Sequence, residues 1–165
     1  MKWELVPVDT LQPVDLYDLA QRHCLVPDNL PFAIQKFRTM ASSARLFEVR
    51  HEERVVANII VSGIVEGEDG YIDFIPDVKR FANDSFKRPL KEAVGPLLRE
   101  LFQLYRLRRM TAQTPAARTR TVKALLELGF EQEGHIREAV KFRGKKPEDV
   151  LLFGLLACNV IAEED

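Results

Sequence analysis

Apolar residues recur along this chain with two different spacings, and each change of spacing marks a predicted element. Residues 3–8 predict a short first strand, and Thr10 can cap a helix that runs to about His23. After the turn-forming segment 27–31, apolar residues recur at helical spacing and predict a second helix. Neither helix carries obvious chemistry, so we interpret both as covering elements.

The next stretch alternates in polarity and is rich in Val and Ile, which predicts strands. Residues 44–50 and 54–65 form a hairpin around a polar turn at 51–53. A second turn at 67–70 leads into a further strand at 71–75.

Helical spacing returns in the second half of the chain. A long helix is predicted for 87–105, with Gly95 and Pro96 expected to kink or restart it. The remaining elements are a strand at 108–113, a helix at 116–128 closed by a left-handed Gly129, and strands at 130–142 and 150–157.

This order of elements predicts an α/β fold with a mixed central sheet and helices on both faces. The strand–helix–strand unit in the middle implies a parallel pair with a right-handed crossover. The hairpins imply antiparallel neighbours. The 165 residues contain no internal repeat, low-complexity tract or linker, so we interpret residues 1–165 as a single domain.

Composition narrows the function classes. The chain is 46% hydrophobic and 30% charged, with a net charge of −1, which gives no overall field for nucleic acid or an anionic membrane. The arginines within 99–120 are interpreted as solvated faces rather than a polyanion site. Cys24 and Cys158 lie among apolar residues and are expected to be buried, reduced thiols, with no metal or disulfide. No signal peptide or membrane-length apolar run is found, so a cytoplasmic protein is expected.

A specific motif lies near the C-terminus. It consists of Leu128-Gly129-Phe130, Glu133-Gly134, Arg137-Glu138, Gly144, Asp149-Val150 and Leu155-Leu156. It resembles the C-terminal part of the GNAT superfamily of acyl-CoA N-acyltransferases, in particular the branch of RimJ- and RimL-type protein N-terminal acetyltransferases. The resemblance covers 71–156 well and the earlier residues by element order alone. The motif also has a folding role, because Gly129 ends a helix, Phe130 fills the core and Asp149 can hold a turn.

The resemblance implies acetyl-CoA as co-substrate, with no metal. In this family the pantetheine arm pairs with the backbone of the fourth strand, which here contains Phe74 and Ile75. The pyrophosphate rests on a glycine-containing loop at the start of the third helix. Without gaps, that motif falls on Ser85, Arg88 and Leu90, so both glycines are absent.

An alternative register places the loop on Arg80, Asn83 and Ser85. In either register, the cofactor phosphates can be held by charge rather than by a glycine cradle. The residues predicted for this are Lys79, Arg80, Lys87 and Arg88, together with Arg118. The other interpretation of the loop is an ordinary solvated surface.

Two residues are candidates for the chemistry. The tyrosine that many family members use falls on Leu125 here, whereas Arg118-x-x-Thr121 matches an Asn-x-x-Ser pattern of the RimL-like branch. Thr121 is therefore expected to protonate the leaving thiolate, unless its hydroxyl only bonds backbone at the helix start. Asp73 is the candidate base, with Glu48 as the alternative.

The resemblance implies an N-acetyltransferase that moves an acetyl group directly to a primary amine, with a protein N-terminus as one acceptor. The alternative is a degenerate domain without this activity that serves as a binding or interaction module. A scaffold reused for another acyl donor is a third option. The expected partners are acetyl-CoA and an amine, small or on a protein, with no nucleic acid or membrane. The expected state is a monomer or homodimer.

Overall fold

The predicted strands and helices are all present, and one short helix is added at the end. The structure, a computed structural model, describes residues 3–9, 11–28, 30–77 and 87–161, and their side chains except at 30–33, 87–89 and 161. The strands are β1 (Trp3–Pro7), β2 (Arg45–His51), β3 (Arg54–Ser62), β4 (Tyr71–Pro76), β5 (Arg109–Pro115), β6 (Glu131–Val140) and β7 (Glu148–Leu156). The helices are α1 (Pro13–Arg22), α2 (Leu30–Ser43), α3 (Lys87–Leu104), α4 (Thr119–Glu127) and the unpredicted α5 (Ala157–Ile161).

The strands form one mixed sheet, as predicted. Their order is β1-β2-β3-β4-β5-β7-β6. The pair β4–β5, joined through α3, is parallel, and the other neighbours are antiparallel. The two-residue turn at Glu52 and Glu53, both with positive φ, closes the β2–β3 hairpin.

Apolar side chains cover both faces of this sheet. Because successive strand residues point to opposite faces, Phe47 and Ile59 contribute to one core while Leu46 and Ile60 contribute to the other. The first core packs against α3 and α4, and the second packs against α1 and α2. The prediction of helices on both faces is therefore confirmed.

The parallel pair in the middle of the sheet is short. β4 and β5 are in register only at Tyr71 with Thr111 and at Ile72 with Ala112. Beyond these positions β4 continues to pair with β3, and β5 pairs with β7 along its whole length. The two strands therefore separate inside the sheet and leave an opening between them.

The C-terminal motif has the folding roles that the sequence predicts. Gly129 ends α4 with φ of +97°, a conformation that a side chain would strain. Phe130 is only 2% exposed, within the core under α3 and α4. Asp149 accepts a hydrogen bond from the Glu138 backbone N–H at 2.9 Å and contacts His135 Nε2 at 2.8 Å. These contacts hold the irregular part of β6, where the register with β7 shifts.

The start of α1 differs from the prediction. The helix begins at Pro13, with Gln12 as its N-cap residue, and Thr10 lies outside the described residues. The Gln12 N–H donates to Asp15 Oδ2 at 2.9 Å. Pro13 suits this position because the first helical N–H has no partner within the helix.

Two further helix predictions need correction. Lys87–Leu104 is assigned as one continuous helix with Pro96 inside it, so Gly95 and Pro96 do not restart it. The next helix begins three residues later than predicted because Ala116 is held outside it, where its N–H donates to the Asp149 carbonyl at 2.9 Å.

The predicted burial of the two cysteines is wrong. Both Cys24 and Cys158 are exposed, and both are free thiols. Cys24 follows the end of α1 with a positive φ of 56°, and Cys158 lies in the short α5. The apolar neighbours along the chain pack inward, whereas these two positions face solvent. Among the described helices, none is long and apolar enough to cross a membrane.

We expect Phe130→Ala to lower the free energy of unfolding by about 3–5 kcal/mol, because it leaves a cavity in the main core. Urea denaturation measures this change. Leu126→Ala is the matched control, since Leu126 lies on α4 but is 52% exposed, and it should change stability by less than about 0.5 kcal/mol. Equal effects of the two substitutions would contradict the assigned role of Phe130.

Candidate functional site

A cleft opens where β4 and β5 separate. It encloses about 630 Å³ and is bounded on the sheet by the ends of the two strands, Asp73 to Pro76 and Gln113 to Pro115. Helices α1 and α2 contribute Leu16, Leu19, Phe37 and Met40, and the β6–β7 region contributes Ile136, Val140, Phe142 and Val150. We call this space the apolar cleft. Its volume is typical of small-molecule sites in proteins.

Asp73 is the acidic group of this cleft among the described residues. It lies on β4 opposite Ile60, and its side chain faces α1 and α2. Burial raises the pKa of the Asp73 carboxyl, while the positive charge of Lys36 on α2 acts in the opposite direction. The pKa of this carboxyl therefore lies closer to neutral pH than that of an exposed aspartate.

A second cavity of about 720 Å³ adjoins the apolar cleft. It lies between the end of α1, the end of β4 and the start of α4. Its charged lining residues are Arg22, Arg118, Arg120 and Lys145, against Asp77 and Glu148. We call it the basic cavity. Cations prevail there, so it suits an anionic group.

The two cavities share Pro76, Arg118 and Thr121. Thr121 lies in the first turn of α4, and although it is only 5% exposed it contributes to the wall of both spaces. Thr121 therefore lies at the junction between them.

Arg118, at the start of α4, also contacts the residues that follow α1. Its Nη2 donates to the carbonyl oxygen of His23 at 2.5 Å and, more weakly, to that of Cys24 at 3.5 Å. These carbonyls follow the C-terminus of α1, where a cation is favourable. Burial, followed by the charge of Arg22, lowers the pKa of His23, so this ring tends to stay neutral beside the arginines.

Glu48, the alternative base, lies elsewhere. It contributes to a different cavity beneath α1, together with Asp15 and Asp18. Arg50 Nη2 forms an ion pair with its Oε1 at 2.8 Å. Glu48 does not line the apolar cleft. The geometry therefore favours Asp73 over Glu48.

Comparisons with known proteins were made at the level of sequence and of structure. No protein-family model matches this sequence, and no curated protein matches it significantly. Solved structures do match over nearly the whole chain. One is the N152L mutant of spermidine N-acetyltransferase SpeG from Vibrio cholerae, with a TM-score of 0.68 and 16% identity, covering 99% of this chain and 98% of that one. The fold is that of the GNAT acyltransferases.

Two further solved structures show the same GNAT fold. Spermidine N-acetyltransferase from Vibrio cholerae in complex with CoA and spermine has a TM-score of 0.67 and 17% identity, covering 96% of this chain and 98% of that one. RimL, a ribosomal L7/L12 alpha-N-protein acetyltransferase in complex with coenzyme A, has a TM-score of 0.65 and 13% identity, covering 94% of each chain. At these identities the likeness concerns the fold.

The predicted cofactor residues fall into two groups. Phe74, Ile75 and Arg118 line the apolar cleft. Lys79 and Arg80 lie outside the described residues, as do Asn83 and Ser85 of the loop registers. Lys87 and Arg88 begin α3, at the position where the GNAT fold presents a helix N-terminus, but their side chains are not among those described. All seven predicted cofactor residues, and the roles of Thr121 and Asp73, stay predictions.

Sequence reasoning missed several lining residues. Lys36 belongs to a helix interpreted as a mere cover, and Arg22 to the end of another. Arg120 follows Arg118 by two positions, and that proximity was a usable signal. Lys145 follows Gly144 in the β6–β7 connection, where the sequence shows only an ordinary basic turn. Among the described residues there is no group of His, Cys, Asp and Glu that could hold a metal ion.

The raised pKa of Asp73 leads to a prediction about how the free energy of unfolding depends on pH. A folded-state pKa above the unfolded value means that the native state binds the proton more tightly, so stability falls as pH rises between the two values. We expect Asp73→Asn to be more stable than the parent near pH 8, with the difference shrinking toward about pH 4. Urea denaturation at several pH values measures this. Glu131→Gln, an exposed carboxylate on β6, is the control. A parent and an Asp73→Asn variant with parallel pH profiles would refute the assigned burial effect.

Proposed function

We propose that this chain is an N-acetyltransferase that moves an acetyl group from acetyl-CoA to a primary amine. The observation that carries the proposal is the separation of β4 and β5, which joins a cleft containing an acid to a cavity rich in cations. Thr121 lies where the two meet. The GNAT fold supports the same assignment.

The residues present fit acetyl-CoA in two respects. Beyond Ile72, β4 is no longer paired with β5, so the backbone near Phe74 and Ile75 borders a space that a pantetheine arm can enter. The basic cavity lies at the end of β4, beside Pro76 and Asp77, and Arg120 and Lys145 supply positive charge there for phosphates. Charge in this cavity can offset the loss of the glycines from the phosphate loop.

Acetyl-CoA supplies a thioester carbonyl that an uncharged amine can attack. The acceptor must therefore lose a proton before or during attack, and Asp73 is the group placed to take it within the apolar cleft. A carboxyl whose pKa is raised by burial holds that proton more firmly than an exposed one, which makes it a stronger base.

The leaving thiolate needs a proton from another group. Thr121 is buried at the junction of the two spaces, so its hydroxyl can donate to a sulfur that enters from the basic cavity. The acceptor enters from the side of α1 and α2, and both substrates are then bound at once. This arrangement fits direct transfer without an acyl-enzyme, because neither cysteine lies at a position that the family resemblance matches to a catalytic group.

The acceptor class that the resemblance suggests is a protein N-terminus, and the matched structures include both a protein acetyltransferase and spermidine acetyltransferases. A cytoplasmic location and a monomer or homodimer stay predictions. A degenerate binding module would show no turnover, so an assay of amine-dependent thiol release distinguishes it from an acetyltransferase.

The proposal predicts that acetyl-CoA stabilises the protein and that added amines release its thiol. At a hundredfold excess over the dissociation constant, the stabilisation should be about 2.7 kcal/mol, seen as a higher melting temperature. Thiol release is then followed with a panel of primary amines. A melting temperature unchanged by millimolar acetyl-CoA would reject acetyl-CoA as co-substrate, and binding without amine-dependent release would support the degenerate module.

We expect Thr121→Val to lower kcat by about 10²-fold or more with little change in KM, because a proton donor acts in the transition state. Thr121→Ser keeps the hydroxyl and should retain most of the activity. Steady-state kinetics with acetyl-CoA and a responsive amine measure both variants. If Thr121→Val kept the parent kcat, the hydroxyl would be only a structural group at the start of α4.

A further inference from the structure

The charges in the apolar cleft are few and mixed in sign. Of its described lining residues, Asp73, Lys36 and Arg118 carry charge. Arg118 is engaged by the carbonyls that follow α1. Lys36 is exposed at the edge of the cleft, and its positive charge acts to lower the pKa of Asp73, against the larger effect of burial. The cleft therefore offers one negative charge and keeps a positive charge close to it.

The rest of the lining is mainly apolar. Large side chains come from both helices that cover the cleft and from the β6–β7 region, including Leu16, Leu19, Phe37, Met40, Phe142 and Val150. Burying an apolar group of a ligand against such a surface is favourable by about 25 cal/mol for each Å² removed from water. A polar chain gains nothing comparable and loses its hydration.

A bridge between two connections limits the cleft on one side. Pro27, between α1 and α2, forms an isolated β-bridge with Phe142, and both residues line the cleft. The Asp28 N–H donates to the Lys141 carbonyl at 3.0 Å, and the Lys141 ammonium lies 3.1 Å from the Asp28 carboxylate. The bridge ties the α1–α2 connection to the β6–β7 connection. The cleft is therefore closed on this side, which leaves less room for a long extended acceptor than for a compact one.

We propose that the acceptor is a small primary amine that carries a single positive charge on an apolar body. This inference rests on the proposed acetyl transfer and specifies its substrate. The amine lies near Asp73, where it loses its proton, and the apolar body fills the space between α1, α2 and the β6–β7 region. Lys36 disfavours acceptors with further positive charges.

This selectivity follows from the balance of charge. A polyamine brings two or more ammonium groups into a space where Asp73 can pair with only one. The others are brought near Lys36, and like charges placed together at a binding site weaken binding. A monoamine with an apolar body avoids that cost and gains the buried apolar area.

The test compares 2-phenylethylamine with spermidine as acceptors for the parent protein and for Lys36→Glu. We expect the parent to show a kcat/KM at least about tenfold higher for 2-phenylethylamine. Lys36→Glu should shrink that ratio by at least about tenfold, chiefly by improving spermidine. Lys123→Glu, on an exposed position of α4 that does not line the cleft, makes the same charge change and should leave the ratio unaltered.

The outcomes separate this inference from the proposed function. Preference for spermidine, or for a peptide with an apolar first residue, would overturn the inference and leave acetyl transfer standing. A ratio that shifts equally in Lys36→Glu and Lys123→Glu would overturn the role of Lys36. Without any turnover, calorimetry decides: no binding of 2-phenylethylamine would reject the inference, and no binding of acetyl-CoA would reject the proposed function itself.

Discussion

The structure depends on one parallel strand pair that is only two residue positions long. β4 and β5 are in register at two residue positions, although each continues to pair fully with its other neighbour. The sheet therefore stays intact on both sides of the opening, and the strands cannot close it without breaking those antiparallel ladders. Because the two cores lie on opposite faces, the opening also connects the side of α1 and α2 with the start of α4.

That opening explains why the pKa of the Asp73 carboxyl is raised. Asp73 follows the last residue of β4 that pairs with β5, so it is the first position of β4 that borders the cleft instead of strand β5. Burial raises the pKa of the carboxyl, and the positive charge of Lys36 acts in the opposite direction. The candidate base and the lysine that influences its pKa thus come from a strand and a helix far apart in sequence.

The basic cavity gives a physical interpretation of the altered phosphate loop. A glycine cradle binds phosphate through fixed backbone N–H groups, whereas the cations of this cavity act through side-chain charge. Arg22 at the end of α1, Arg120 in the first turn of α4 and Lys145 in the β6–β7 connection meet beside the end of β4. Under the proposed function, phosphate binding through these side chains would be more sensitive to salt than binding by a glycine cradle.

The sequence by itself determined the order of the elements, the mixed sheet and the C-terminal motif. These depend on local rules: side-chain periodicity, the left-handed glycine at 129, and Phe130 and Asp149 at set distances from it. Tertiary packing decided the rest. Packing between segments remote along the chain leaves Cys24 exposed and places Lys36 near Asp73. It also brings the two cavities together at Thr121. Periodicity indicates which face of an element is apolar, but it carries no information about which other element that face packs against. The residues that line the cleft come from several elements, so only the tertiary structure shows which of them lie together.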